Sequence, residues 1–330
     1  MSTSAIEPTV VFMGTPEFAV PSLRALAEGP YMVTVVTQPD RPTGRGARVT
    51  PPPVKVAAEE LGLQIIQPAS LRDPAFRERM AALAPDVTVL VAYGEYVAPA
   101  LLDLPRRGSI NLHPSLLPRW RGSTPIQSAI LAGDSETGVS IIRMDRGLDT
   151  GPIIAQRATP IGPEETHPAL SARLAAMGAE LLAEVLPLWL RGEVEAVPQP
   201  EQGATLTRTL SKEDGLLDWT MGAEELARRV RALQPWPGTY TYWGDRMIKV
   251  LSARPAEGDG TKAQPGAVVV LPGEGRGQRV VVQAGEGLLE LRQVQLAGKA
   301  PIEARALLSG YPQIAGSVLG PPAASSTRTE

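Results

Sequence analysis

The run VTVLVAY at residues 87–93 decides the fold class of the N-terminal half, because it is continuous and largely apolar. Such a strand is typical of a parallel sheet that helices cover on both faces. On either side of it, short β-rich runs alternate with segments of helical period. Strands are predicted at residues 9–13, 33–38, 64–67 and 109–113, and helices at residues 17–28, 54–61 and 74–83. This alternation predicts a doubly wound α/β domain.

The pattern changes in the C-terminal half. Strands are predicted at residues 138–144 and 152–156, and a long helix at residues 168–190. Farther on, a helix at residues 223–233 is followed by short strands with Gly-rich turns, which favours a small β-barrel. These strands are predicted at residues 239–243, 247–252, 266–271, 279–283 and 288–295.

The domain division follows from these patterns. Residues 191–209 contain Gly, Pro, Gln and Glu with little periodicity, and we interpret them as a linker. The chain is therefore expected to consist of an N-terminal domain at residues 1–190, this linker, a C-terminal domain at residues 210–320 and a disordered tail at residues 321–330.

Composition narrows the possible functions. The 330 residues include no cysteine, which excludes disulfides, Cys-zinc sites and thiol catalysis. Because there is neither a run of about 18 apolar residues nor a secretory signal pattern, we expect a cytoplasmic protein with no membrane partner. The net charge of −3 argues against a general nucleic-acid binder. Residues 208–330, however, carry 15 Lys/Arg against 13 Asp/Glu, which permits a polyanionic partner.

The segment SINLH at residues 109–113 is the first candidate for chemistry. Because side chains alternate along a strand, Asn111 and His113 point to one side at its carboxyl end, where open α/β sheets bind ligands. The amide can donate a hydrogen bond to a developing oxyanion, and the imidazole can exchange a proton near neutral pH. A hydrogen-bonded polar pair without a catalytic role is the alternative that this triplet alone leaves open.

A carboxylate would complete such a site, since a histidine that acts as an acid or base is usually oriented by one. Asp149, in GLDTG at residues 147–151, lies on a turn after the next predicted strand and is the candidate, with Asp145 as its rival. Either could instead be a turn aspartate that binds its own backbone. The other histidine, His167, precedes a predicted helix and is expected to be a surface residue.

A second candidate region is the loop at residues 39–53, which is long for a βα connection and has neither helical nor strand periodicity. It holds Arg41, Arg45 and Arg48 among glycines, which suits phosphate contacts, although a solvated flexible loop has the same composition. The turn MGTP at residues 13–16 lacks the G-x-G-x-x-G pattern and a P-loop lysine. A dinucleotide or nucleoside triphosphate site is therefore not expected there.

Two motifs are highly specific in combination. N-x-H-x-S-L-L-P at residues 111–118, followed by G-L-D-T-G at residues 147–151, resembles the folate-dependent formyltransferases. The resemblance covers residues 10–309 and extends to the members that act on methionyl-tRNA. It is carried by TQPDRPTGRG, PVKV, VAYG, LPRWRG, LSKEDGLLDW and QPWPG, at residues 37–46, 53–56, 91–94, 117–122, 210–219 and 234–238.

This resemblance implies a fold and a reaction. The fold would be a Rossmann-like N-terminal domain with an OB-like C-terminal β-barrel that holds tRNA. The donor would be 10-formyltetrahydrofolate, and the acceptor the α-amine of methionyl initiator tRNA. The product would be N-formylmethionyl-tRNA for translation initiation. No metal is expected, and the enzyme is expected to act as a monomer.

The resemblance also implies roles for individual residues. By motif match, the catalytic residues are Asn111, His113 and Asp149. The residues that fall where the family binds folate are Ser115, Leu116, Leu117 and Pro118. The loop that falls where the family engages the acceptor stem carries Arg41, Arg45 and Arg48, with Arg45 at the matching position.

The sequence departs from the family in places, and other functions compete. Pro114 stands where the tRNA enzymes are expected to carry Gly, and Glu95 and Tyr96 replace apolar residues beside the expected folate pocket. The nearest alternative is formyl transfer to a small amine such as glycinamide ribonucleotide or an amino sugar nucleotide. A non-catalytic RNA-binding protein and a dinucleotide-dependent dehydrogenase are further alternatives. The Arg-rich loop and the second domain favour the tRNA substrate.

Overall fold

The computed structural model of the protein describes residues 7–43, 48–258, 263–273 and 277–321. The chain forms two compact units. The first comprises Met1–Pro125, Glu136–Pro160 and Ala169–Arg208, and the second comprises Ile126–Ser135, Ile161–Pro168 and Thr209–Glu330. In the described part of the chain, no helix combines the length and the apolar content that crossing a bilayer requires.

The chain up to residue 191 alternates strands and helices. In order, these are β1 (Thr9–Gly14), α1 (Val20–Ala27), β2 (Met32–Val36), β3 (Arg41–Thr43), β4 (Arg48–Thr50), α2 (Pro53–Glu60), β5 (Gln64–Ile66), α3 (Pro74–Ala82), β6 (Val87–Val91), α4 (Pro99–Leu102), β7 (Ser109–His113), α5 (Pro125–Ala132), β8 (Glu136–Arg143), β9 (Ile153–Pro160) and α6 (His167–Arg191). Helices α2 to α5 each begin at a proline, whose fixed φ suits the first helical position.

The sheet of the first unit confirms the predicted Rossmann-like, doubly wound fold. Among the described residues it has seven strands in the order β5-β2-β1-β6-β7-β8-β9. The first five strands in this order, from β5 across to β7, are parallel to one another. Strand β8 is antiparallel to both of its neighbours, β7 and β9. All five residues of β6 are buried, as expected for a strand that is covered on both faces.

The carboxyl ends of the central parallel strands lie at one edge of the sheet, and the candidate catalytic residues of β7 lie there too. Strand β7 ends at His113, as the sequence predicted. The chain after β1 is tied to the chain after β6, because the hydroxyl of Thr15 donates to the carbonyl oxygen of Tyr93 over 2.8 Å. This edge is where ligands bind in open α/β sheets.

The Arg-rich loop contains regular structure that its sequence did not predict. Strands β3 and β4 pair in antiparallel fashion, with Arg41 opposite Thr50. At the base of this hairpin, the Lys55 ammonium donates to both carboxylate oxygens of Asp40 over 2.7 and 2.9 Å. The interpretation of residues 39–53 as a loop without periodicity therefore missed this hairpin. Three-residue strands are too short to show an alternating pattern, and cross-strand pairing defines them instead.

Beyond residue 209, the described part of the second unit is an antiparallel β domain with two α-helices. Its elements are α7 (Ala223–Ala232), β10 (Thr239–Trp243), β11 (Arg246–Ala256), β12 (Val268–Pro272), β13 (Gln278–Gln283), β14 (Leu288–Leu296), β15 (Ile302–Glu303) and α8 (Ala304–Gly310). The described strands run in the order β10-β11-β14-β13-β12, with β15 paired to β14. Leu217 and Trp219, from the LSKEDGLLDW motif, lie in the buried core of this unit.

The last described residues of the chain close this sheet. The Leu319 N–H donates to the carbonyl oxygen of Gly266, just before β12, over 2.8 Å. The Gly320 N–H donates to the carbonyl oxygen of Tyr242, on β10, over 3.0 Å. Both edges of the sheet are thus hydrogen-bonded to one segment, which partly covers them. This arrangement confirms the predicted C-terminal β-barrel.

Candidate active site

Asn111 and His113 line a cleft of about 350 Å³ in the first unit. They lie two residues apart on β7, so both side chains point to the same side of the sheet. The His113 side chain is buried, whereas Asn111 is partly exposed. Other residues of the cleft come from the chain after β6 and from the turn after β8, including Tyr93, Gly94, Glu95, Tyr96, Leu148 and Asp149.

The carboxylate of Asp149 contacts both Asn111 and His113. Its Oδ1 accepts a hydrogen bond from Asn111 Nδ2 over 3.2 Å, and its Oδ2 accepts one from the Gly122 N–H over 2.9 Å. The same Oδ2 lies 3.6 Å from Nδ1 of His113. The structure therefore brings together the three residues that the sequence proposed as catalytic.

The other ring nitrogen of His113 is engaged by the backbone. Nε2 lies 2.9 Å from the carbonyl oxygen of Trp120. Because a carbonyl oxygen can only accept, Nε2 carries a proton and donates. Nδ1 is therefore the ring atom that faces Asp149 and is left to exchange a proton.

The rival carboxylate, Asp145, is used within its own turn. Its Oδ1 accepts hydrogen bonds from the Gly147 N–H over 2.9 Å and from the Thr150 hydroxyl over 2.8 Å. The turn is crowded, since a Cβ on Gly151 would lie 1.8 Å from the carbonyl oxygen of Arg143. Asp149 itself has a φ of +53°, a left-handed conformation that is unfavourable for residues with a Cβ.

The segment interpreted as a linker holds this turn in place, which the sequence did not indicate. Nε2 of Gln199 donates to the carbonyl oxygens of Asp149 and Gly151, both over 2.7 Å. Oε1 of Gln199 accepts from Nε and Nη2 of the buried Arg121 over 3.1 and 2.9 Å. A glutamine in an aperiodic, polar segment carries no signal of this role.

The residues expected to bind folate, Ser115 to Pro118, follow β7, and within this segment Ser115 and Leu117 are buried whereas Leu116 and Pro118 are partly exposed. The Ser140 hydroxyl donates to the carbonyl oxygen of Ser115 over 2.6 Å and accepts from the Leu117 N–H over 3.1 Å. Among the described residues that line the cleft, none belongs to Ser115, Leu116, Leu117 or Pro118. Their role in folate binding stays a prediction.

A neighbouring cleft of about 550 Å³ holds the arginine that begins the loop. It shares Ala92, Tyr93 and Gly94 with the first cleft, and its other walls are mainly proline side chains. Arg41 lines it and donates from Nη2 to Oε1 of Gln38 over 3.0 Å. Within the described residues, the buried Nε2 of Gln38 has no hydrogen-bond partner.

The loop carries two further arginines, Arg45 and Arg48. Arg48 begins β4, where its backbone pairs with Thr43. Arg45 lies outside the described residues.

The rim of the first cleft exposes two large side chains and carries the departures from the family pattern. Tyr96 and Leu148 are 67% and 60% exposed, although both are large apolar side chains. Glu95 is exposed beside them. Burial raises the pKa of Tyr93 far above its usual value, and the nearby Glu95 carboxylate adds to this effect. The phenol of Tyr93 therefore stays neutral at physiological pH.

His167 lies in the second unit. It is half-buried rather than exposed, because its Nδ1 lies 2.9 Å from the carbonyl oxygen of Gln234. Burial lowers its pKa below the ordinary value, and this hydrogen bond opposes the shift. The expectation of a surface residue was therefore wrong, since sequence spacing could not show the contact with Gln234.

The arrangement of the first cleft suits acyl-type transfer. Asn111 has a second N–H beyond the one given to Asp149, so it can donate to an oxyanion. His113 can exchange a proton at Nδ1, and Asp149 can stabilise the charge that results.

Comparison with known proteins identifies the family. Residues 9–186 match the formyl transferase family, and residues 209–312 match the formyl transferase C-terminal domain. A methionyl-tRNA formyltransferase of Myxococcus xanthus is 48% identical over 310 residues, which cover 94% of this chain and 97% of that protein. One of Chloroflexus aggregans is 47% identical over 302 residues, covering 91% and 96% respectively.

A solved structure has the same fold at low sequence identity. The N-formyltransferase of Helicobacter canadensis, in complex with folinic acid and dTDP-3-aminofucose, superposes with a TM-score of 0.64 at 17% identity. The superposition covers 88% of this chain and all of that one. The chain belongs to the formyl transferase family, and within it to the methionyl-tRNA formyltransferases.

Proposed function

We propose that this chain transfers the formyl group of 10-formyltetrahydrofolate to the α-amine of methionine on initiator tRNA, producing N-formylmethionyl-tRNA. The observation that carries the proposal is the convergence of Asn111 and His113 on the Asp149 carboxylate in a cleft at the carboxyl end of β7. An amide donor, an imidazole and a carboxylate are the groups that acyl transfer to an amine requires.

The first step is attack of the unprotonated amine on the formyl carbon. A C–N bond forms, and the carbonyl π electrons move onto oxygen to give a tetrahedral oxyanion. The free N–H of Asn111 stabilises this oxyanion, and His113 assists once Nδ1 is protonated. The proposed step uses no metal.

The second step moves one proton. The amine nitrogen, positively charged after attack, gives a proton to Nδ1 of His113. The imidazolium is stabilised by Asp149, 3.6 Å away. The oxyanion then re-forms the carbonyl, the bond between the formyl carbon and the folate nitrogen breaks, and the same proton passes from His113 to that nitrogen. His113 and Asp149 return to their starting states, so the step balances without any further reactant.

The two adjoining clefts suit the two substrates. The cleft that contains Asn111 would take the folate donor, since Tyr96 and Leu148 offer apolar surface to a flat heterocycle. The neighbouring cleft would take the acceptor end, with Arg41 near phosphate and the proline walls around the methionyl side chain. The two clefts meet at Tyr93, so the substrates would meet there too. Holding both reactants in one place supplies much of the acceleration.

The remaining tRNA contacts would come from the rest of the loop and from the second unit. Arg45 and Arg48 are proposed to contact acceptor-stem phosphates. The β-barrel unit is nearly neutral overall, so its electrostatic contribution would be modest and the loop would carry more of it. We further propose that the enzyme works as a monomer in the cytoplasm.

A formylation assay with charged initiator tRNA and 10-formyltetrahydrofolate tests the proposal. We expect transfer to methionyl initiator tRNA and little transfer to glycinamide ribonucleotide or an amino sugar nucleotide. Faster transfer to a small amine would refute the assigned acceptor. Binding of tRNA without any transfer would favour the non-catalytic alternative.

A further inference from the structure

Gln199 couples the 191–209 segment to the candidate catalytic carboxylate. Its amide nitrogen donates to the carbonyl oxygens of Asp149 and Gly151, and its amide oxygen accepts from the guanidinium of Arg121. Both ends of the amide are thus engaged, which leaves the side chain a single orientation.

The turn that carries Asp149 needs such a restraint. The left-handed φ of +53° at Asp149 is unfavourable for an aspartate, so the surrounding contacts must maintain it. Rotation of this one residue would move the carboxylate away from Asn111 and His113, which lie 3.2 and 3.6 Å from it. Gln199 binds the carbonyl oxygen of Asp149 itself, the atom nearest to the strained torsions.

The 191–209 segment does not depend on Gln199 for its own attachment. The backbones of Val197 and Ile153 pair through two hydrogen bonds of 2.7 and 2.8 Å. The backbone of Arg121 pairs with Thr205 and Thr207 over 2.9 and 2.8 Å. Removal of the Gln199 side chain would therefore release the Asp149 turn while the segment stays in place.

We propose that Gln199 is a positioning residue for formyl transfer, and that it acts by holding the Asp149 carboxylate against Asn111 and His113. This proposal rests on the proposed function of Asp149. Gln199 alone of this segment is assigned this positioning role.

Steady-state kinetics of three variants test the proposal. Gln199→Ala removes all four hydrogen bonds. Gln199→Glu keeps an acceptor for Arg121 but removes the donor to the two carbonyl oxygens. Both are expected to lower kcat about 100-fold, because small displacements of a catalytic group have effects of this size. KM for tRNA and for folate should stay close to the wild-type values.

A matched control and a stability measurement accompany these variants. Gln202→Ala removes an exposed glutamine of the same segment and should stay within about twofold of wild type. The thermal unfolding midpoint of Gln199→Glu, in which Arg121 keeps an acceptor, checks that the fold is retained. A Gln199→Glu enzyme with the wild-type kcat would overturn the proposal.

A double-mutant cycle separates positioning from a general structural role. If Gln199 acts through Asp149, adding Gln199→Ala to Asp149→Asn should cost little further activity. Independent effects would multiply, so a further loss of about 100-fold in the double variant would overturn the proposal. Failure of the wild-type enzyme to formylate methionyl-tRNA would instead refute the proposed function, so the two failures are distinct.

Discussion

The Nε2 atom of His113 lies 2.9 Å from the carbonyl oxygen of Trp120, so the backbone determines which ring nitrogen carries a proton in the resting enzyme. Nδ1 is thereby left facing Oδ2 of Asp149. The Trp120 carbonyl is presented by a residue with a φ of +63°, in the left-handed region. The orientation of the imidazole thus depends on a local backbone conformation as well as on the carboxylate.

Replacement of the amide or the imidazole should abolish most turnover. We expect Asn111→Ala and His113→Ala each to lower kcat about 100- to 1,000-fold, the usual cost of losing one oxyanion donor. The affinity for tRNA should change little, since both residues lie at the reacting centre. Single-turnover formylation and a tRNA binding titration check this. Activity within a few-fold of wild type would contradict the assignment.

The two aspartates of the β8–β9 turn should differ sharply. Asp149→Asn removes the charge that faces His113, and we expect a loss of kcat of at least about 100-fold. Asp145→Asn keeps an oxygen that can accept from the Gly147 N–H, so it weakens only one turn contact. We expect its loss of kcat to be at least about tenfold smaller than that of Asp149→Asn. The ratio of the two kcat values is the measurement. Equal losses of kcat in the two variants would refute the assignment of Asp149, rather than Asp145, as the carboxylate that acts with His113.

The loop arginines should contribute through phosphate contacts. Each contact contributes roughly 0.7–0.9 to the slope of log affinity against log salt. We therefore expect Arg41→Ala and Arg45→Ala each to weaken binding of charged tRNA and to reduce this slope by about one contact. Arg72, an exposed arginine outside both clefts, provides the control variant. An unchanged slope in both variants would exclude Arg41 and Arg45 from phosphate binding.

Tyr96 should affect the donor rather than the acceptor. Its ring is 67% exposed at the rim of the cleft, where it can cover a heterocycle. We expect Tyr96→Ala to raise KM for folate roughly three- to tenfold, the equivalent of one aromatic contact. KM for tRNA should not change. A rise in KM for tRNA alone would reverse the proposed assignment of the two clefts.

His167 should make stability depend on pH. Its pKa is lowered in the folded state, so the unfolded chain binds a proton at a higher pH than the folded chain does. The contribution of neutral His167 to the free energy of unfolding is fully present above the unfolded-state pKa. It decreases as the pH falls through that value towards the folded-state pKa. Denaturant unfolding of wild type and His167→Asn at pH 7.5 and pH 5.5 checks the sign. The decrease in unfolding free energy should be smaller in the variant, and an equal decrease would contradict the prediction.

Regular elements with strong local patterns were the most predictable part of the molecule. The bounds of β7 and β10 agree with prediction, because alternating side chains and flanking turns mark both strands. Helix α8 was missed, since seven residues form a stable helix only by packing against β13 and β14. The β3–β4 hairpin was missed for a similar reason, as its strands exist through pairing alone.

The shared face of Asn111 and His113 at the end of a strand follows from the residues alone, because side-chain alternation is a local property of the extended chain. The order of the apolar runs likewise sets the fold class. Folding in three dimensions is what places Asp149 rather than Asp145 beside the imidazole, the Trp120 carbonyl at its other nitrogen, and Gln199 against the turn. These contacts join residues as far as 50 positions apart, and their geometry depends on how β8, β9 and the 191–209 segment pack rather than on local spacing.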